Sequence, residues 1–161
     1  MRIVLQRVLR ASVRIEGRIH STIDRGLLLL LAIHSSDSPA QAKLLAEKTA
    51  QLRIFPDDAG KMNRSAQEAG LAALVVSQFT LYGDCRKGRR PNFMAAARPE
   101  IAIPLYELFC TELATHLSRV ERGIFGAEMQ IELINDGPVT LILESDSGNP
   151  GRHQLQLHGS P

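Results

Sequence analysis

Tryptophan is missing from this chain, and Phe and Tyr together make up only 4% of it. A platform of stacked aromatic side chains, of the kind that grips single-stranded nucleic acid, is therefore poorly supported. Cysteine is scarce as well. Cys85 and Cys110 read as free thiols, because 161 residues with 44% hydrophobic composition can bury a core without a staple. The longest apolar run, Leu27 to Ile33, has seven residues, far short of the roughly 18 or more of a membrane-crossing helix. It is a buried strand, and no membrane association is expected. At the N-terminus Arg2, Arg7, Arg10 and Arg14 interrupt the apolar pattern, so no secretory signal is expected and the cytoplasm is the expected compartment. The histidines His20, His34, His116, His153 and His158 fit neither a zinc helix nor a Cys/His cluster. Neither a metal nor a cofactor is expected, and no Ser sits in a nucleophile-elbow pattern.

What the chain does contain is organised as one domain. Arg2 to Ile15 alternates as a strand, and Glu16-Gly17 turns it into Arg18 to Ile23 as a hairpin. Leu27 to Ile33 is a central strand. Ser38-Pro39-Ala40-Gln41 is a helix start, with Ser as N-cap, Pro at the first position and Gln three residues after the cap. Leu44, Leu45, Thr49 and Leu52 then share a helical face. After a turn at Asp57-Asp58-Ala59-Gly60, Leu71 to Leu81 is expected as one long strand. A second helix begins between Pro99 and Pro104, with Leu105, Phe109, Leu113 and Leu117 as its buried stripe. Met129 to Leu133 and Val139 to Leu143 read as two closing strands. The expected fold is α+β: a curved mixed sheet or barrel-like core covered by helices, over residues 1–145. The polar, turn-rich stretch 146–161 is expected to be a flexible C-terminal tail.

Two segments do not look like ordinary core. In Ser77-Gln78-Phe79-Thr80-Leu81, three hydrogen-bonding side chains follow the apolar run Leu71 to Val76, and each must find a partner or face a cavity. In Asn135-Asp136-Gly137-Pro138-Val139-Thr140, Pro removes a backbone donor and Gly opens φ values closed to other residues, so the segment shapes backbone. A third feature is the basic run Arg86-Lys87-Gly88-Arg89-Arg90. In a chain of net charge +2 it is modest evidence for a phosphate-bearing partner.

The two motifs resemble the signatures of the D-aminoacyl-tRNA deacylases, which hydrolyse the ester of D-amino acids mischarged onto tRNA. The resemblance runs from Arg2 to about Glu144. It takes in Arg2-Ile3-Val4-Leu5-Gln6-Arg7-Val8, Gly60-Lys61-Met62-Asn63 and Phe125-Gly126-Ala127-Glu128-Met129-Gln130. It implies that Ser77, Gln78, Phe79 and Thr80 line the catalytic pocket for the charged 3′ end. It implies further that Gly137-Pro138 is a cis pair which rejects L side chains from the partner subunit of a homodimer, with Arg7 bracing it. Glycine, having no side chain, would escape rejection, so glycyl-tRNA mischarged on tRNA-Ala is an expected substrate. Arg86, Lys87, Arg89 and Arg90 become the expected tRNA-binding residues. No base is visible for Thr80, so main-chain N–H groups near Phe79 and Thr80, with water and the ribose 2′-OH, are favoured over a threonine nucleophile. Tyr82-Gly83, Cys85 and Asn92 depart from the expected pattern beside the first motif. The alternative is a nucleic-acid-binding module that has kept the fold without hydrolysis.

Overall fold

The computed structural model describes residues 1–145. The tail expected at 146–161 lies outside the described residues. Strands β1 (Arg2–Ile15) and β2 (Arg18–Ile23) form the expected hairpin, followed by β3 (Gly26–Ala32) and helix α1 (Pro39–Gln51). A small hairpin, β4 (Phe55–Pro56) with β5 (Met62–Arg64), precedes β6 (Ala72–Ser77) and a 3-10 turn over Phe79–Tyr82. Helix α2 (Pro99–His116), β7 (Arg119–Arg122) and β8 (Gln130–Glu144) complete the domain.

The sheet runs β2-β1-β3-β6-β7, with β8 added along β1. Only β3–β6 and β6–β7 are parallel. β1 is long enough to serve two neighbourhoods: its first half pairs with β3, its second half with β2, and β8 runs beside both. Such sharing bends the sheet, and the result is a nearly closed, barrel-like mixed sheet with the two helices against it. The expected α+β class and single domain are observed.

Both faces of β3 are covered, which is why its apolar run is unbroken. Leu27, Leu29 and Leu31 pack with Leu45 of α1 and with Phe109 and Leu113 of α2, whereas Leu28 faces a second cluster with Val8, Val13, Ile23 and Val76. On β1, Ile3 and Leu5 point to the helical side, and strand alternation sends Arg7 the same way. Arg7 is therefore buried, at 8% exposure.

The capping box at Ser38 and Gln41 forms as expected, with Pro39 opening α1. The buried side of α1 is Ala42, Leu45, Ala46, Thr49 and Ala50, small enough for α2 to pack closely, while Leu44 and Leu52 are only half-buried. Helix α2 starts at Pro99 and accommodates Pro104 one turn in, where the helix is still partly exposed at Ile101 and Ile103.

Two expectations are corrected. The strand expected over Leu71 to Leu81 covers only Ala72–Ser77, because its parallel pairing with β3 ends at Leu31, one residue before β3 itself ends. Gln78 still donates its N–H to the Leu31 carbonyl at 2.8 Å, and the chain then closes into the 3-10 turn. The two strands expected at the end are one. β1 continues past both, and the ladder absorbs the second motif without breaking. The short strands β4, β5 and β7 were not legible in the sequence.

Candidate active site

The first motif sits where β6 ends. Ser77, Gln78 and Phe79 form part of the wall of a cavity of about 310 Å³. The remaining wall is mostly apolar, with Leu31 to Ile33 from the end of β3, Ala97, Ala102 and Tyr106 from around α2, and Phe125 to Ala127 with Met129 before β8. Tyr106 is fixed at the base: its hydroxyl donates to the Val75 carbonyl at 2.9 Å, and its ring meets Phe125 edge-on at 5.9 Å. Burial pushes the Tyr106 hydroxyl well above the usual range and the Cys110 thiol up to about 12. Both stay neutral and act as packing.

Thr80 faces outward on the 3-10 turn, and its hydroxyl oxygen accepts a hydrogen bond from the Gln78 side-chain amide at 2.5 Å. No histidine or carboxylate bonds to it among the described residues. The main-chain N–H groups of Phe79 and Thr80 have no acceptor among the described residues, because the turn's bonds start only at Leu81, which donates to Gln78, and Gly83, which donates to Thr80. Phe79 lines the cavity and Thr80 follows it in the turn, so two backbone donors without an acceptor among the described residues lie beside the cavity. Phe79 is 56% exposed and rests edge-on against Phe93 at 5.2 Å. Glycine at position 83 leaves room beneath that pair, since a Cβ there would come within 2.9 Å of the exposed Phe93 ring and 3.0 Å of the Thr80 carbonyl oxygen.

The second motif is a bulge in the β1–β8 ladder. Gln6 pairs with Thr140 and Val8 with Asn135, so Arg7 alone stands opposite Asp136, Gly137, Pro138 and Val139. A bulge is where a strand tolerates Pro, because no ladder donor is needed there. Asn135 closes it by accepting from the Val139 N–H at 3.1 Å and donating to the Val139 carbonyl at 3.2 Å. The Gly137-Pro138 bond is cis, and Gly137 has φ +118°, a conformation L side chains rarely adopt. Arg7 braces the bulge from inside. Its Nε donates to the Asp136 carbonyl at 3.1 Å and lies 3.2 Å from the Asp136 carboxylate, while Nη1 donates to the Ile54 carbonyl at 2.5 Å. Arg25, 3.9 Å from the same carboxylate, is a second cation that sequence reading passed over. Sequence spacing gave no signal for it.

Within one chain the two motifs do not meet: no residue of 135–140 lines the cavity, and Gly137 and Pro138 are exposed. The basic run is an exposed loop whose ends are bridged by Asp84 and Asn92. Arg86 is engaged by its own loop, with bidentate contacts to Asp84 at 2.7 and 2.9 Å that hold the Asp84 carboxyl down at about 2. Lys87, Arg89 and Arg90 have no ion-pair partner among the described residues. Of the departures noted in the sequence, Cys85 is exposed, and Asn92 accepts from the Met94 N–H at 2.9 Å. Tyr82 is clasped from behind by Arg2 and His34. Among the described residues no group of three or more His, Cys, Asp or Glu side chains is placed to hold a metal ion.

The candidate site is thus a mostly apolar cavity at the end of a nearly closed mixed sheet, with two backbone N–H groups beside it that have no acceptor among the described residues. The family described as D-Tyr-tRNA(Tyr) deacylase matches residues 4–144. D-aminoacyl-tRNA deacylase of Brevibacillus brevis is 58% identical over 145 residues, covering 90% of this chain and all of the relative. The protein of that name from Thermus aquaticus is 56% identical over 151 residues, 94% of this chain and 99% of its own. The solved structure of the c-Myc DNA Unwinding Element Binding Protein superposes with a TM-score of 0.85 at 40% identity, covering 90% of this chain and 99% of that one. The chain belongs to the D-Tyr-tRNA(Tyr) deacylase family, and it is a hydrolase.

Proposed function

We propose that this protein hydrolyses the ester of D-aminoacyl-tRNA in the cytoplasm, releasing the D-amino acid and free tRNA, and spares the L form. The observation that carries this reading is the pair of unpaired main-chain N–H groups at Phe79 and Thr80 beside the cavity. An aminoacyl ester is already activated. Donors that hold its carbonyl as charge develops there supply several kcal/mol of transition-state stabilisation. Water attacks, the neighbouring ribose 2′-OH relays the proton, and no side-chain nucleophile is needed. Thr80 has no base bonded to it among the described residues and is bonded to Gln78, which supports that assignment.

Chirality is read by the Gly137-Pro138 bulge of a partner subunit, projecting into the pocket that Ser77, Gln78 and Phe79 line, with Thr80 outside its wall. Two facts support this: the bulge is exposed and it is absent from its own chain's cavity wall. Rigid backbone excludes an L side chain without needing contacts to each D side chain. Glycyl-tRNA mischarged on tRNA-Ala, having no side chain to exclude, is also cleaved. Lys87, Arg89 and Arg90, with Arg86, take the phosphate backbone of the acceptor end.

The deciding experiment is release of amino acid from D-, L- and glycyl-tRNA by the purified protein, with and without EDTA. Hydrolysis of the D and glycyl esters alone, unaffected by EDTA, is expected; equal release of both enantiomers, or of neither, rejects the reading. Light scattering is expected to give a dimer, and a fully active monomer rejects the shared site. The rival, a nucleic-acid-binding module without hydrolysis, draws on the name of the c-Myc DNA Unwinding Element Binding Protein. Nucleic-acid binding with no ester cleavage would favour it.

A further inference from the structure

The turn that carries the unpaired N–H groups has little of its own to hold it. It has four residues, and Phe79 and Thr80 face outward. What fixes it comes from the other end of the chain. Arg2, at the start of β1, reaches 79 positions along the sequence and donates from Nη1 to the Leu81 carbonyl at 2.5 Å. Its guanidinium carbon lies over the Tyr82 ring, 4.9 Å from the ring centre. Its Nε bonds the carboxylate of Glu144, the last residue of β8 and its partner in the β1–β8 ladder. On its other side Tyr82 meets His34 edge-on at 5.1 Å, and His34 is held by its N–H to Asp37 at 2.6 Å. Asp37 also takes the Met1 ammonium at 2.5 Å.

These contacts use different parts of one planar group: Nη1 for the carbonyl, Nε for the carboxylate, and the central carbon over the ring. Lysine, a point charge on a flexible stem, can reproduce these contacts one at a time and not all together. An exposed ion pair alone would matter little for stability. Here, however, the same guanidinium also holds the carbonyl of Leu81, the residue next to Thr80, so loss of it frees the backbone whose direction an oxyanion site depends on. The geometry points to Arg2, supported by Glu144 and Tyr82, as a positioning residue that aims the Phe79 and Thr80 N–H groups at the scissile carbonyl. This role rests on the deacylase reading above.

The test uses Arg2→Met, Arg2→Lys, Tyr82→Leu and Tyr82→Phe in the full chain, with two readouts. In single-turnover and steady-state deacylation, Arg2→Met is expected to lower kcat by about tenfold to a hundredfold, the scale of a small misplacement, with KM changed less than about twofold. Arg2→Lys recovers part of that loss, Tyr82→Leu shares it, and Tyr82→Phe, which keeps the ring, behaves as wild type. In backbone NMR, the Phe79, Thr80 and Leu81 amides of Arg2→Met lose order while those of β3 and α2 are unchanged. A folded Arg2→Met with wild-type kcat, a rise confined to KM, a lysine variant no better than methionine, or undisturbed amides at 79–81 would each overturn the assignment. If Arg2→Met does not fold, Arg2→Lys and Tyr82→Leu decide by the same readouts. If the wild type cleaves no D-aminoacyl-tRNA, the deacylase reading falls, and the amide measurement still decides whether Arg2 holds the turn.

Discussion

Replacing Arg7 by Met keeps the buried aliphatic stem and removes the guanidinium that braces the second motif. The change leaves the carbonyls of Ile54 and Asp136 without their donor and the Asp136 carboxylate without its nearer cation. Hydrogen bonds from a charged donor contribute about 1.5 to 3 kcal/mol each, and breaking a buried pair costs about 3 to 5 kcal/mol. The Asp136 side chain is 23% exposed and retains Arg25 at 3.9 Å, so the lower end applies, about 3 kcal/mol. For a protein of this size that corresponds to a fall in Tm of roughly 6 to 12 °C. Thermal unfolding followed by circular dichroism at one fixed protein concentration measures it, the concentration being held because any dimer couples to stability. The same variant should cleave L-aminoacyl-tRNA at least about tenfold better relative to the D ester, since a bulge free to move excludes less sharply. Arg7→Lys should recover roughly half of the lost stability, as one donor replaces a fork. A Tm within about 2 °C of wild type, or lost stability with chiral selectivity intact, would refute the bracing role.

Thr80→Ala should retain substantial activity, because the proposed oxyanion donors are main-chain groups; a 2′-deoxy terminal adenosine should slow hydrolysis by about 10² to 10⁴. A folded but dead Thr80→Ala enzyme with normal rates on the 2′-deoxy substrate would instead favour a threonine nucleophile. Ala substitutions at Lys87, Arg89 and Arg90 should each raise KM and reduce the salt slope of tRNA binding by about 0.7 to 0.9, whereas Arg86→Ala, already paired with Asp84, should do less. Fluorescence titrations at several salt concentrations distinguish them. Iodoacetamide at pH 8 should label exposed Cys85 and spare Cys110, whose thiol burial pushes up to about 12 and so keeps it protonated until the protein unfolds. Mass spectrometry reads the result, and rapid labelling of both thiols in the folded protein would contradict the packing.

Local chemistry in this chain was legible wherever a residue's neighbours along the sequence decide its state. The Ser38 and Gln41 capping box, the Glu16-Gly17 turn, the doubly buried strand at Leu27 to Leu31 and the stripe Leu105, Phe109, Leu113 and Leu117 follow from spacing and propensity. The polar cluster after Val76 and the Gly-Pro pair likewise stood out from ordinary core before any contact was known. Other features depend on partners remote in sequence. Whether Phe79 to Leu81 continues a strand depends on where β3 ends, and whether Gly137-Pro138 divides one strand or two depends on the length of β1. Residue type alone would leave an arginine at position 7 exposed, and it is alternation against the helical core that turns Arg7 inward to Ile54 and Asp136. Arg2 and Leu81, 79 residues apart, can be joined only by folding. Sequence pattern determines which groups must be satisfied; tertiary pairing decides which remain free, and the Phe79 and Thr80 N–H groups lack an acceptor among the described residues because the sheet ends beside them.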